Sequence, residues 1–585
     1  MNLLSLFIIN AITFKGILVW LVALVVFILM LGVIILLHEG GHFFFAKKAG
    51  ILCHEFAIGM GPVVKTVKKG ETSYSIRAIP VGGFVSMAGE DTNEAMLKVD
   101  QEVSLSFKDV YYSDLLYSKD GVNNSDNRIV RVVSEISVTP KVAKEVVGTV
   151  VEYDLYSENG DAMYIVLNID GEDQKFLVAR DAHYVLSEKQ SIQMAPYERC
   201  YESKTKTQRF LTVFAGPLMN FVLAFFIFLV VGLFSGVPNE DSTVLGELSE
   251  GYPAYSYLKE GDEIIKLDDV EIGKWSDISK FFDDNVGIES VKVTYVRDGA
   301  TGECEIPTIQ MAYRLGLANY AALNTKAPED GKGLIVTPIV EDYVAHKAGV
   351  GSGDILLGYY VGNEFKELNE WKDLYDFLDK NPDLDKLTID YIDREMIVDE
   401  NGDPVLTADK EVQYKIKETK TKVNIDIWTT KSAKQLLNAT NSETMIGISP
   451  ETKFSLFGGL WNALKLFWNS ITTVFVTLGA LFGNKQVSIK MLSGPVGIFS
   501  AVKQYLTTDI LSFLSFVGLI SANIGLVNLI PLPALDGGRL VFVGYEAVTR
   551  KKVNKKVETA LINIVFWLVI ILFIYITFND VLRLF

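Results

Sequence analysis

His38, Glu39 and His42 stand in the run Leu36-Leu37-His38-Glu39-Gly40-Gly41-His42-Phe43, an H-E-x-x-H pattern. On a helix the two histidines lie one turn apart and face the same way. Two imidazoles at that spacing can hold one divalent zinc from one side. Glu39 lies beside the pair, where a carboxylate can take a proton from an activated water without being a ligand. The chemistry this suggests is metal-assisted hydrolysis.

The element that must position the pattern is the stretch before it. Residues 17–37 carry no charge and are rich in Leu, Ile and Val. About 20 such residues cross a bilayer as a helix. The motif therefore sits at the end of a first transmembrane helix, where ionisable groups are expensive and functional. The plain alternative is two surface histidines in a turn at the membrane boundary. Only five histidines occur in the chain and two of them are here, which weighs against it.

Two histidines need a third ligand, and a second apolar stretch offers one. Residues 510–530 end in Asn528-Leu-Ile-Pro531-Leu-Pro533-Ala-Leu535-Asp536-Gly537-Gly538-Arg539. Pro531 and Pro533 forbid regular helix. Irregular backbone at membrane depth is tolerated only where protein or a cavity covers it. An aspartate in that setting needs a partner, so Asp536 is the candidate. Its plain alternative is a capping residue beside glycine in a loop.

Composition sets the frame. Of 585 residues 49% are hydrophobic, too many for a purely soluble protein, while 22% are charged, too many for a purely membranous one. Several domains follow. Cys53, Cys200 and Cys304 are far apart and give neither disulfide framework nor metal spacing. The net charge of −17 argues against nucleic acid as a partner. The acid is concentrated: residues 238–430 hold 40 Asp/Glu against 20 Lys/Arg, whereas 539–556 hold six basic residues and one acid, Glu546.

The order along the chain is then as follows. Residues 1–50 are the first transmembrane helix with the HEGGH pattern. Residues 51–90 form a β-hairpin region around Pro80-Val81-Gly82-Gly83, whose edge can receive an extended peptide. Residues 91–192 form a polar, β-rich inserted domain with no visible chemistry. Residues 193–238 carry the second membrane helix, where the small residues and proline of Ala215-Gly216-Pro217 fit close helix packing, and Asn220 is read as a packing residue that hydrogen-bonds to a neighbouring helix. Residues 240–430 contain an imperfect repeat: Gly261-Asp262 followed by Trp275-Ser-Asp277, and Gly353-Asp354 followed by Trp371-Lys-Asp373. Residues 451–508 hold an amphipathic, aromatic-rich interface stretch, then Ser493-Gly494-Pro495-Val496-Gly497-Ile498 as a loop or re-entrant element. Residues 509–585 carry the third and fourth membrane helices. His54, His183 and His346 are read as ordinary surface, strand or turn residues.

An H-E-x-x-H on a first membrane helix and an N-x-x-P-x-P-x-L-D-G on a third resemble the site-2 protease family of intramembrane zinc metalloproteases, most closely its bacterial regulator-of-sigma-E protease branch. The resemblance extends to residues 77–90, 210–220 and 493–498, and to the Gly-Asp repeats as two PDZ-like modules at 239–330 and 331–450. It departs at 91–192, where members of the family have a short link. It implies a polytopic α-helical membrane protein with four transmembrane helices, a membrane-associated β-hairpin, an inserted cytoplasmic β-rich domain and extracytoplasmic PDZ-like modules. It implies Zn2+ on His38, His42 and Asp536, Glu39 as catalytic base, and Asn528 near the substrate. The Gly82-Gly83 strand would hold the opened peptide.

The implied activity is regulated intramembrane proteolysis of single-pass membrane proteins, such as anti-sigma-factor-like stubs or remnant signal peptides, in the bacterial cytoplasmic membrane. Lysines after His42, the group Lys204, Lys206 and Arg209, and the stretch 539–556 fall on one side if four helices cross, which makes that side cytoplasmic. Two rivals compete. A membrane scaffold with a structural metal has no use for Glu39. A metal transporter needs polar residues lining several helices.

Overall fold

The structure is a computed structural model that describes residues 14–89, 97–117, 128–138, 146–187, 190–248, 251–320, 332–338, 343–399, 404–406, 412–437, 442–483, 489 and 492–582. Its principal helices are α1 (Phe14–Lys48), α2 (Lys206–Phe234), α3 (Trp275–Asp284), α4 (Trp371–Lys380), α5 (Leu456–Gly483), α6 (Pro495–Thr508), α7 (Ile510–Asn528), α8 (Asp536–Thr549) and α9 (Lys555–Leu582). Among the described residues five helices are long and apolar enough to cross a membrane, where the sequence reading counts four. The additional one is α5, the stretch expected along the interface. Its hydropathy, 1.3 against 2.1–3.3 for the other four, is why its pattern reads as amphipathic.

The chain divides into two compact units, Met1–Phe228 with Ser493–Phe585, and Leu229–Leu492. In the first, α1 is followed by β1 (Cys53–Lys69) and β2 (Thr72–Met87). Their register is doubled: Ile58 opposes both Gly83 and Ile76, and Glu55 both Ser86 and Ser73. One edge of the 83–87 arm is thus occupied by β1.

The block 91–192 contributes β3 (Glu102–Tyr111), β4 (Ile129–Ser137), β5 (Val146–Asp154), β6 (Tyr164–Ile169), β7 (Glu172–Ser187) and β8 (Gln190–Gln193), in the order β4-β3-β5-β6-β7-β8. A further parallel pairing of β4 with β7 closes the first five into a barrel and leaves β8 as the end strand. Apolar side chains of these strands fill its interior: Val132, Ile136, Val150, Ile165, Leu167 and Val178 have no exposed surface.

The remaining helices of this unit carry or brace the motifs. The Pro531–Pro533 stretch ends α7 at Asn528 and turns without helix until α8 begins at Asp536. Asp580 of α9, buried, accepts N–H bonds from Gly494 and Gly497 at 2.8 and 2.9 Å and so anchors the start of α6. Residues 493–498 are therefore the entry of a helix.

The second unit contains the acidic repeat. In each copy the Gly-Asp pair precedes a strand, Glu263–Leu267 or Ile355–Val361, and the Trp opens a helix, α3 or α4. Ile264, Leu267, Ile278, Phe281 and Val293 form one core, and Trp371, Leu374, Tyr375, Leu378 and Ile389 the other. The expected boundary at 330 lies outside the described residues. Ile309–Ala312, before it, pairs with Ser442–Met445, far after it. Ala312, Leu315 and Leu317 join the second core, while Ile446 joins the first. Periodicity marks strands but not which strands pair, so the sequence could not show this crossing.

Candidate metal centre

His38 and His42 face the same way from α1, as the i, i+4 spacing requires. Asp536, the first residue of α8, comes to meet them. His38 Nε2 and His42 Nε2 lie 3.2 and 3.3 Å from Asp536 Oδ2, and 3.3 Å from each other. Among the described residues this is the one group of three or more His, Cys, Asp or Glu arranged to hold a metal ion. Zinc bonds of about 2.0–2.1 Å in tetrahedral geometry require ligand atoms about 3.3–3.4 Å apart. The triangle has that size. Asp536 Oδ2 is buried and finds no hydrogen-bond donor, which suits a metal ligand better than a structural carboxylate. The donors present fit zinc.

The imidazoles are held from behind. His42 Nδ1 is 2.8 Å from the carbonyl of Thr212. His38 Nδ1 is 3.2 Å from the amide of Asn220, a residue with no exposed surface in the middle of α2. As placed, the nitrogen Nδ2 faces His38 while Asn220 Oδ1 is buried without a partner. Turning the amide over lets Oδ1 accept from His38 Nδ1–H, and His38 Nε2 then keeps its lone pair for a metal. The sequence reading expected Asn220 to hydrogen-bond to a neighbouring helix in a packing role and did not name His38 as its partner. The signal was available, since an asparagine inside an apolar helix demands a polar partner.

Close helix contact makes this reach possible. A Cβ on Gly216 would overlap the His42 ring, and one on Gly41 would overlap the carbonyl of Ala215. The small residues expected to pack helices do so at the site itself. The start of α2 is fixed by Arg209, whose guanidinium meets Glu546 at 2.7 Å, and by Lys206 Nζ on the Glu546 carbonyl at 2.8 Å.

A cavity of about 630 Å³ opens onto the triangle. Glu39, Asn528, Gly82 and Gly83 line it, so the structure gathers every residue singled out from the sequence. Asn528 Nδ2 is 3.5 Å from His38 Nε2. Gly83 passes so near that a Cβ there would come within 3.0 Å of Glu39 Cγ and 2.9 Å of Ile35 Cγ2. Gly82 adopts φ +74, in the left-handed region that glycine occupies freely. The 82–87 arm of β2 forms one wall of the cavity. Arg539, counted in the sequence among basic residues flanking the membrane, lies one helical turn after Asp536 and lines the cavity too. Spacing along α8 carries that information once Asp536 is accepted as pointing inward.

On the hairpin, Glu71 is held by Arg199 (2.8 Å) and Lys47 (2.6 Å), which bring its carboxyl down to about 2. The end of α1, the hairpin and the approach to α2 are tied together there.

The sequence profile of peptidase family M50 matches residues 26–572. The zinc metalloprotease RasP of Shouchella clausii is 30% identical over 563 residues, covering 96% of this chain and 99% of the relative. The zinc metalloprotease RasP of Bacillus licheniformis is 30% identical over 562 residues with the same coverage. Among solved structures, the PDZ domain of an SdrC-like protein from Listeria monocytogenes is 18% identical, with a TM-score of 0.11, covering 12% of this chain and 72% of that domain.

Proposed function

Because the chain belongs to peptidase family M50 and is a zinc metalloprotease, we propose that it acts in regulated intramembrane proteolysis, with His38, His42 and Asp536 as ligands and Glu39 as catalytic base. The observation that carries this reading is the triangle of donors with Glu39 beside it, on helices apolar enough to lie in a bilayer.

Zinc held there supplies a Lewis acid and lowers the pKa of a water to about 7. Glu39 takes the proton from the attacking water and returns it to the leaving amine. The Asn528 amide donates to the peptide carbonyl as negative charge develops on its oxygen. A helical substrate hides its carbonyls, so the segment to be cut must unwind. The 82–87 arm of β2 receives it as an added strand, Gly82 and Gly83 letting the backbone come close to Glu39. Asn220 and the Thr212 carbonyl keep both imidazoles turned toward the metal.

Orientation follows from charge. With α1, α2, α7 and α9 as the crossing helices and α5 along the interface, Lys47, Lys48, Lys204, Lys206 and the basic stretch after Arg550 share one side, the cytoplasmic one, near the zinc centre. The acidic modules are then extracytoplasmic. The substrates are single-pass proteins of the bacterial membrane, such as anti-sigma-factor-like stubs or remnant signal peptides. The test uses purified enzyme in lipid with a single-pass stub. Wild type should cut it, and Glu39→Gln should bind zinc without cutting. Equal cleavage by both would remove Glu39 from the mechanism; zinc in neither would remove the centre.

A further inference from the structure

The unit that holds the zinc centre contains a second cleft, of about 720 Å³, between the barrel, the hairpin end and the α8–α9 connection. Neither the proteolytic chemistry nor the sequence reading gives it a task. Three observations converge on one. The first is continuity. Residues 82–87 of β2 line the zinc cavity, and the next two, Ala88 and Gly89, line the second cleft. A strand advances about 3.3 Å per residue. A peptide lying along β2 therefore enters the cleft within two or three residues of leaving the zinc cavity.

The second is an edge. The barrel strands β3–β7 close on one another, while β8 ends the strand order. Ile192 and Gln193 of β8 line the cleft. An end strand offers its backbone N–H and C=O groups to an extended peptide.

The third is chemistry. The wall presents Tyr153, Tyr156, Tyr184 and Tyr197, with the Tyr156 and Tyr197 rings 5.2 Å apart and nearly perpendicular. Asp154 and Glu158 stand on the same wall. Glu202 is paired with Lys555 at 2.5 Å, and Lys552 stands on the rim from the α8–α9 connection. Aromatic faces beside carboxylates suit a lysine or arginine side chain. Segments next to the membrane on the cytoplasmic side are enriched in those two residues.

We propose that this cleft is an exosite for the substrate's cytoplasmic juxtamembrane segment. The segment adds to β8 as a strand and lays a Lys or Arg over Tyr156 and Tyr197, against Asp154 and Glu158. The inference rests on the proteolytic reading and the orientation given above. It assigns the inserted domain to substrate capture.

The test uses the full-length enzyme in lipid vesicles and three substrates. One has a Lys/Arg-rich tail, one has serine at those positions, and one is a short peptide confined to the cleaved segment. The enzymes are wild type, Glu158→Lys, and Tyr156→Ala with Tyr197→Ala. In both variants KM for the basic tail should rise about fivefold with kcat unchanged. The other two substrates should be cut as by wild type. A tail carrying glutamates should bind Glu158→Lys better than it binds wild type. Binding of the basic-tail peptide to Glu39→Gln, weakened by adding Glu158→Lys, tests the cleft independently of cleavage. If KM for the basic tail is the same in all three enzymes, or if all substrates suffer alike, the exosite is wrong. If wild type cuts none of the three, the proteolytic reading fails, while the binding measurement still decides the cleft.

Discussion

Three aspartates withdrawn from solvent divide into two kinds. Asp262 and Asp354 begin the equivalent strands of the acidic repeat, with 1% and 0% of their surface exposed. Asp262 receives both arms of Arg297 at 2.7 Å and the N–H of Lys259 at 2.7 Å. Asp354 receives only backbone, from Gly351 at 2.7 Å and Arg394 at 2.8 Å. The Arg394 side chain turns instead to the Gly353 carbonyl and the Tyr414 ring. Both structural carboxylates are supplied with donors. Asp536 is different: its Oδ2 has no donor and faces two imidazole nitrogens. Lacking a donor does not by itself set Asp536 apart, since Oδ1 of the architectural Asp580 also has none; what separates Asp536 is that its open oxygen faces two imidazole nitrogens at metal-ligand spacing.

Breaking the open acid should have the largest effect. Asp536→Ala should lose bound zinc and lower cleavage by more than about 10⁴-fold, read by metal analysis and stub cleavage together. Retained stoichiometric zinc would move the third ligand elsewhere. Glu39→Gln comes next: kcat should fall by about 10²–10⁴-fold with zinc content unchanged. Asn220→Ala should weaken zinc binding by about 10–100-fold, measured by competition with a chelator, and Asn220→Gln should not restore it because the longer side chain displaces the amide. An unchanged affinity would return Asn220 to packing alone.

The saturated acids should behave otherwise. Asp262→Ala should speed hydrogen exchange in Glu263–Leu267 while zinc content and short-peptide turnover stay within about twofold. Acid sharpens the contrast between the two copies. Burial opposes ionisation of Asp262, but Arg297 and the Lys259 N–H outweigh it, so its carboxyl lies below its ordinary value near 3.8. Its stabilisation is complete above that value and is lost as pH falls from there through the lower value of the folded state. Burial dominates at Asp354 and raises its carboxyl, with backbone N–H groups opposing only in part. Its ionisation weakens the fold as pH rises through the window above 3.8. From pH 5 to pH 3, exchange in Glu263–Leu267 should accelerate, while Asp354 works toward slower exchange in Ile355–Val361. Parallel acceleration of both would mean that other carboxylates control the acid response.

The sequence by itself determined the chemistry-bearing residues and the elements that carry them. The i, i+4 histidines, the prolines that end α7, and the apolar runs are local properties, so short-range rules suffice to read them. Glycines at 82 and 83 were legible for the same reason. What only the tertiary structure decided depends on contacts between distant segments. Asn220 and Thr212 lie more than 160 positions from the histidines they hold. Arg539 turns from a flanking charge into a cavity wall only once α8 is in place. The closure of the barrel by β4 and β7, which leaves β8 as its end strand, is a long-range pairing. So is the passage of 309–320 into the second module's core. Period-2 alternation says that a strand has two faces, but its partner is chosen by packing and hydrogen bonding across the whole unit.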